Sequence, residues 1–304
     1  MKLKKTISVF LFLTFLFSLT GCRKEAPVPV SPLFYKVSDE NSSVYILGSI
    51  HVGSMDIYPL PAKIMSAYEE CGTVVFELDF STMPEYGYEI PRAETEAMAG
   101  TETVEQAVSA IKAYYPDMKR RAQKLYPSVN MANIEQAGFH TLQGLLSLAA
   151  CEKAQLRTDC GLDQTFLGYA RRDKKNIIGA ESWEEQYKLT YNLPPEAYKA
   201  ILTESIDVDG TAEALEVQFE MWCRGDAETL EHTELDQLRQ ADADSFMHVQ
   251  YENFLIRNEH MLDSIIRQLD IDEPSFILFG AAHVMGEDGV INRLTALGYT
   301  VEAM

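Results

Sequence analysis

Val44-Tyr45-Ile46-Leu47-Gly48-Ser49-Ile50-His51, near the start of the chain, is matched in pattern by Phe276-Ile277-Leu278-Phe279-Gly280-Ala281-Ala282-His283 near its end. Each is an apolar β-type run, then Gly-x-x-His, then Val. The echo continues downstream. After His51 a helix-like stretch ends in Cys71-Gly72 and gives way to Thr73-Val74-Val75-Phe76-Glu77. After His283 another ends in Leu297-Gly298, before Tyr299-Thr300-Val301-Glu302. A strand that delivers a glycine and then a histidine at its carboxyl end places an imidazole where open α/β sheets bind ligands. Two copies far apart in sequence predict two histidines that meet in space.

Outward from these stretches, Leu33–Val37 and Val44–Leu47 read as a hairpin across a turn-type cluster of Ser, Asp, Glu and Asn. The continuous apolar run of Thr73–Leu78 fits a parallel strand covered on both faces. Apolar spacing of three and four predicts helices near Thr103–Tyr114, Asp117–Leu125, Phe139–Lys153, Leu162–Asp173, Pro195–Glu204, Ala212–Trp222 and Phe246–Leu269. Lys175–Glu181 interrupts them as a further strand ending in a carboxylate. Ser275–Phe279, a helix over Val290–Leu297 and Tyr299–Val301 return to β-α-β. The fold class is therefore α/β. A central sheet is assembled from N- and C-terminal β-α-β halves, and a large, mostly helical middle region caps the strand ends. Neither half alone would make a stable sheet.

Lys2, Lys4 and Lys5 precede an apolar stretch, Ile7 to Leu19, that runs into Leu19-Thr20-Gly21-Cys22. This layout predicts a lipoprotein signal peptide over residues 1–21, with the Cys22 thiol as the site of lipidation. Residues 22–31, with Pro27 and Pro29, read as an extended tether, and 32–304 as one domain. The expected location is the cell envelope, extracytoplasmic and lipid-anchored, with the membrane as a partner through the anchor. A formal net charge of -20 disfavours nucleic acid. Cys71, Cys151, Cys160 and Cys223 remain; an exported chain sits where disulfides persist. Pairing of Cys151 with Cys160 and of Cys71 with Cys223, or four free thiols, are both open at this level. The absence of Cys-x-x-Cys argues against a thiolate zinc site.

Imidazole is the commonest metal ligand and a natural acid or base, so His51 and His283 lead the candidates. Glu77 ends a neighbouring strand, and two histidines with one carboxylate suffice for a catalytic metal with an open position. Glu181 ends the Lys175–Glu181 strand and could supply a fourth ligand or a general base. Asp163, just inside a helix, reads as a cap or dipole partner. Arg257-Asn258 could bind a carboxylate or orient a metal ligand. His140, His232, His248 and His260 show no ligand spacing. His-Glu-x-x-His, Gly-x-Ser-x-Gly, a P-loop and Gly-x-Gly-x-x-Gly are all absent.

The ordered set of these motifs resembles the TraB/GumN family, which includes the Tiki proteins. The carrying stretches are Tyr45–Gly53, Tyr58–Pro61, Val74–Asp79, Gly161–Asp163, Gly179–Ser182 with Glu185-Gln186, Arg257-Asn258 with Met261, and Phe279–Gly286. The resemblance covers essentially the whole mature chain. It implies an α/β core of the erythromycin-esterase and ChaN-like kind. It also implies a metal-dependent protease using two Gly-x-x-His motifs and a glutamate, which map onto His51, His283 and Glu77; the catalytic carboxylates expected are then Glu77 and, from its strand-end position, Glu181. Ala180-Glu181-Ser182 departs from the family's more usual Leu-Glu-Thr, and Val284 stands where Leu is common. The expectation is a membrane-anchored hydrolase with a divalent metal ion, acting on a peptide or small molecule. The alternative is a non-catalytic lipoprotein that binds a peptide signal or haem.

Overall fold

In a β-strand successive side chains point to opposite faces, so a run that is apolar throughout needs cover on both sides. The strands of this protein meet that demand. A computed structural model describes residues 27–79, 89–191 and 193–304. The hairpin is β1 (Phe34–Ser38) and β2 (Ser43–Ser49). Then come α1 (Ala62–Glu70) and β3 (Thr73–Leu78). Four helices follow: α2 (Arg92–Ala99), α3 (Thr101–Leu125), α4 (Phe139–Lys153) and α5 (Leu162–Arg172). After β4 (Asn176–Glu181) come α6 (Trp183–Tyr191), α7 (Pro195–Ile206), α8 (Val208–Arg224), α9 (Ala227–Glu234), α10 (Asp236–Arg239) and α11 (Phe246–Leu269). The chain closes with β5 (Ser275–Gly280), α12 (Ala281–Val284), α13 (Val290–Ala296) and β6 (Thr300–Ala303).

The six strands form one sheet in the order β4-β3-β5-β2-β1-β6. β4, β3, β5 and β2 are mutually parallel, while β1 runs antiparallel to both β2 and β6. The last long strand, β5, lies between β2 and β3, so the two ends of the chain share one sheet as the sequence predicts. The four parallel strands deliver Ser49, Leu78, Glu181 and Gly280 to the same edge.

Alternate residues feed two cores. Tyr45, Leu47, Val74, Phe76, Phe276 and Leu278 join the larger one, with Ile64 and Tyr68 of α1, Leu142 of α4, Phe166 of α5 and Trp222 of α8. Val44, Ile46, Val75, Ile277 and Phe279 face the other way, onto Met261, Leu262 and Ile265 of α11 and Val290 and Leu294 of α13. The middle helices pack chiefly on one another, α3 on α4 and α4 on α8. Trp222 of α8 reaches the end of β2, where its Nε1–H donates to Gly48 O at 2.9 Å.

Two details differ from expectation or close an open reading. The helices predicted on either side of Pro116 are one continuous α3, with the proline inside it. Proline removes one N–H donor, and buried Val104, Ala107, Val108 and Ile111 on one side and Met118 and Ala122 on the other hold both halves in line. Cys71, Cys151, Cys160 and Cys223 are all free thiols. The signal peptide, Cys22 and the first tether residues lie outside the described residues, and no described helix is long and apolar enough to cross a membrane.

Candidate functional site

Beyond Ser49 the backbone leaves the sheet and is clasped by the segment before α5. Gly53 pairs with Arg157 in an antiparallel bridge, and Leu162 N–H donates to Ile50 O at 3.0 Å. The approach is so close that a Cβ on Gly161 would lie 2.2 Å from His51 O. Only glycine permits this contact. The clasp sets Asp163, in the first turn of α5, beside the histidine. Asp163 is buried; its Oδ2 accepts from His51 Nδ1 at 3.0 Å, and its Oδ1 accepts from Ser49 Oγ at 3.1 Å. The His51 side chain is 70 % exposed at the cavity mouth. The Asp163 charge and hydrogen bond raise its pKa above the ordinary imidazole range.

His283 sits in α12, immediately after β5, and is buried. Its Nδ1–H donates to Asn258 Oδ1 at 2.5 Å. Asn258 is itself held, its Nδ2 donating to Asp288 O at 2.9 Å. Phe254 stacks on the imidazole with ring centroids 4.7 Å apart. Burial, with Arg257 and His51 close by, drives His283 down to about 4, against the pull of Glu77. At neutral pH it is an uncharged imidazole with the proton on Nδ1 and the Nε2 lone pair turned outward.

Glu77 lies opposite, and Gly280 makes room for it. Gly280 N–H donates to Glu77 Oε1 at 2.6 Å, and a Cβ there would stand 3.0 Å from the same oxygen. Burial works to raise the Glu77 carboxyl, but neighbouring His283, Arg257 and His51 and the Gly280 N–H outweigh it and hold it at about 2. Because His283 is neutral, the guanidinium is the decisive partner. Arg257 forks across the site. Its Nη2 donates to Glu77 Oε2 at 2.7 Å, its Nη1 to His283 Nε2 at 3.2 Å and its Nε to Glu181 Oε2 at 2.8 Å.

His51, Glu77, Arg257 and His283 line one cavity of about 320 Å³, at the small end for ligand sites. Leu215, Trp222, Leu230 and Met285 form its apolar wall. The two Gly-x-x-His histidines therefore do converge. Asp163 and Asn258 are the residues that orient them. Glu181 lies behind Arg257 rather than on the cavity surface. Its side chain is fully buried, and its Oε1 accepts from His260 Nδ1 at 3.2 Å. Sequence reasoning passed over Ser49, Trp222, Phe254 and His260. Of these, His260 had a usable signal, since it stands three residues from Arg257 on one helix face.

The donor chemistry suits a divalent ion. Two imidazoles have Nδ1 tied to an acceptor, so Nε2 is the coordinating atom, in His51 once an ion has displaced its second proton, and a carboxylate stands beside them. As they stand, no three His, Cys, Asp or Glu side chains among the described residues are grouped closely enough to hold one. The cation between His283 and Glu77 is the Arg257 guanidinium.

The model of the TraB/PrgY/gumN family matches residues 33–303, nearly the whole described chain. The chain belongs to the TraB/PrgY/gumN family. It is similar to an uncharacterized protein, YbaP, of Escherichia coli (strain K12), at 23% identity over 154 residues. The YbaP protein of Shigella flexneri matches at the same identity and length. The alignment covers 51% of this chain and 54% of the relative in each case, so the chain spans about half the length of the curated relatives it matches. No solved structure matches it significantly. The matched range contains both Gly-x-x-His histidines, His51 and His283.

Proposed function

We propose that this protein is a metal-dependent hydrolase held at the extracytoplasmic face of a membrane, with peptides as its substrate class. One observation carries the reading: each Gly-x-x-His imidazole has its own Nδ1 acceptor, Asp163 for His51 and Asn258 for His283. Such partners fix the tautomer and ring direction of metal-binding histidines. His51 and His283 through Nε2, and Glu77 through its carboxylate, would hold the ion. A bound divalent ion polarises a carbonyl and lowers the pKa of water.

The chain's own residues supply the rest. Asn258 Oδ1 keeps the proton on His283 Nδ1, and Asp163 does the same for His51. Arg257 places a permanent positive charge in the cavity wall, suited to a carbonyl oxygen gaining negative charge. Glu181, which the sequence suggested as a base, is bonded to Arg257 and His260 and serves to hold the guanidinium. Leu215, Trp222, Leu230 and Met285 supply the apolar part of the cavity lining. Lipidation at Cys22 provides the anchor.

The test is metal content and peptide cleavage of purified protein, wild type against His51→Ala with His283→Ala. The double variant is expected to lose bound divalent metal and cleavage together. Unchanged metal content and unchanged cleavage refute the proposal. A Cys22→Ala variant released into the soluble envelope fraction supports the anchor; one that stays with the membrane does not.

A further inference from the structure

The cation already inside the site belongs to the chain. Arg257 donates to three acceptors, and two of them, Glu77 Oε2 and His283 Nε2, belong to the proposed ion ligands. The third, Glu181 Oε2, does not. A neutral imidazole has one acceptor nitrogen, so His283 Nε2 serves either the guanidinium or an ion. Charge points the same way. A divalent ion beside a buried guanidinium is repelled, and more strongly than in water. Without the guanidinium, though, Glu77 and Glu181 would be two buried carboxylates with no permanent positive partner, which is costly.

We infer that Arg257 is a positioning residue that occupies the ion's place in the metal-free site, and that a divalent ion binds by taking His283 Nε2 and Glu77 Oε2 from it. Until then the fork holds those two atoms facing one cavity. The Nε–Glu181 bond involves neither ion ligand, and Glu181 is braced by His260. That bond persists when the other two are surrendered, and the guanidinium remains as the cavity's positive group. The inference rests on the metal reading above and adds what must move for the ion to enter.

A purely structural Arg257 makes the opposite prediction. If the fork only braced the site, removing it would loosen His283 and Glu77 and weaken ion binding. If it competes, removing it strengthens binding. The experiment titrates Zn²⁺ alone, and separately Co²⁺ alone, into the full chain in detergent near neutral pH, by calorimetry. Wild type, Arg257→Gln and Arg257→Lys are compared, with circular dichroism to confirm folding. Arg257→Gln is expected to bind at least about tenfold tighter than wild type, since one repelling charge is gone. Arg257→Lys, which keeps the charge, is expected to stay near wild type.

A second arm follows the wild type, so it stands even if the Gln variant does not fold. The Arg257 Nη–H resonances, assigned by their loss in Arg257→Lys, are expected to shift as Zn²⁺ takes their two acceptors. Equal or weaker binding by a folded Arg257→Gln, or unmoved Arg257 Nη–H resonances in saturated wild type, overturns the inference and leaves the metal reading intact. No ion binding by either protein overturns the metal reading, and this inference with it.

Discussion

Replacing Asn258 by alanine removes one fully buried side chain that completes two hydrogen bonds. Its Oδ1 accepts from His283 Nδ1 at 2.5 Å, and its Nδ2 donates to Asp288 O at 2.9 Å. Alanine leaves an imidazole N–H and a backbone carbonyl without partners. Each such buried group costs about 1–3 kcal/mol. His283 borders a cavity that water can enter, which trims its share, so the expected loss is about 2–4 kcal/mol in total. That is a large part of a typical stability of about 5–15 kcal/mol, yet the variant should still fold. Urea unfolding followed by circular dichroism, with a chelator present, measures it without an ion's contribution. Asn258→Asp is the informative partner. It keeps an acceptor for His283 but sets an oxygen against the Asp288 carbonyl, so it should recover only part of the loss. Divalent metal affinity should fall about 10–100-fold in Asn258→Ala, as for other partners of ligating histidines. A stability loss below about 0.5 kcal/mol, the range of inert surface changes, would refute the argument that Asn258 braces His283.

Three further outcomes follow from the same geometry. Asp163 raises the His51 pKa above the unfolded value of about 6.5, toward about 9. The pair therefore stabilises the native state fully below the lower value and loses that contribution as pH rises through the higher one. Asp163→Asn should destabilise most in mildly acidic solution and least in alkaline, by urea unfolding across pH; a pH-independent difference contradicts the assignment. Gly161→Ala puts a methyl 2.2 Å from His51 O and should cost about 1–3 kcal/mol as an overpacked contact. Its melting temperature, compared with that of Gly168→Ala, where the added carbon meets nothing within 4 Å, checks this. Trp222→Phe removes the pyrrole half of a buried indole and leaves Gly48 O without its donor. It should cost about 1–3 kcal/mol in the same denaturation assay, and a neutral result would show that water replaces the indole.

The strands and their terminal residues were legible because β periodicity and helix spacing are local. β2, β3, β4 and β5 fall where the apolar runs lie, and Glu77, Glu181 and the two histidines follow from standing at or just beyond strand ends. α3 was the exception. Pro116 reads as a break, but tertiary packing on both sides outweighs one lost hydrogen bond. Asp163 read as a helix-dipole partner because its real partner is a loop more than a hundred residues away.

Sequence alone determined the α/β class, the doubled Gly-x-x-His and the carboxylates that share its sheet edge, since each depends on a few neighbouring residues. Tertiary structure decided that β5 sits between β2 and β3. It decided that Asp163 and Asn258 orient different histidines, and that Arg257 binds His283 and Glu77 while resting on Glu181. Those choices depend on which distant segments pack together. A guanidinium three hydrogen bonds deep in a carboxylate–imidazole cluster has no periodic signature along the chain.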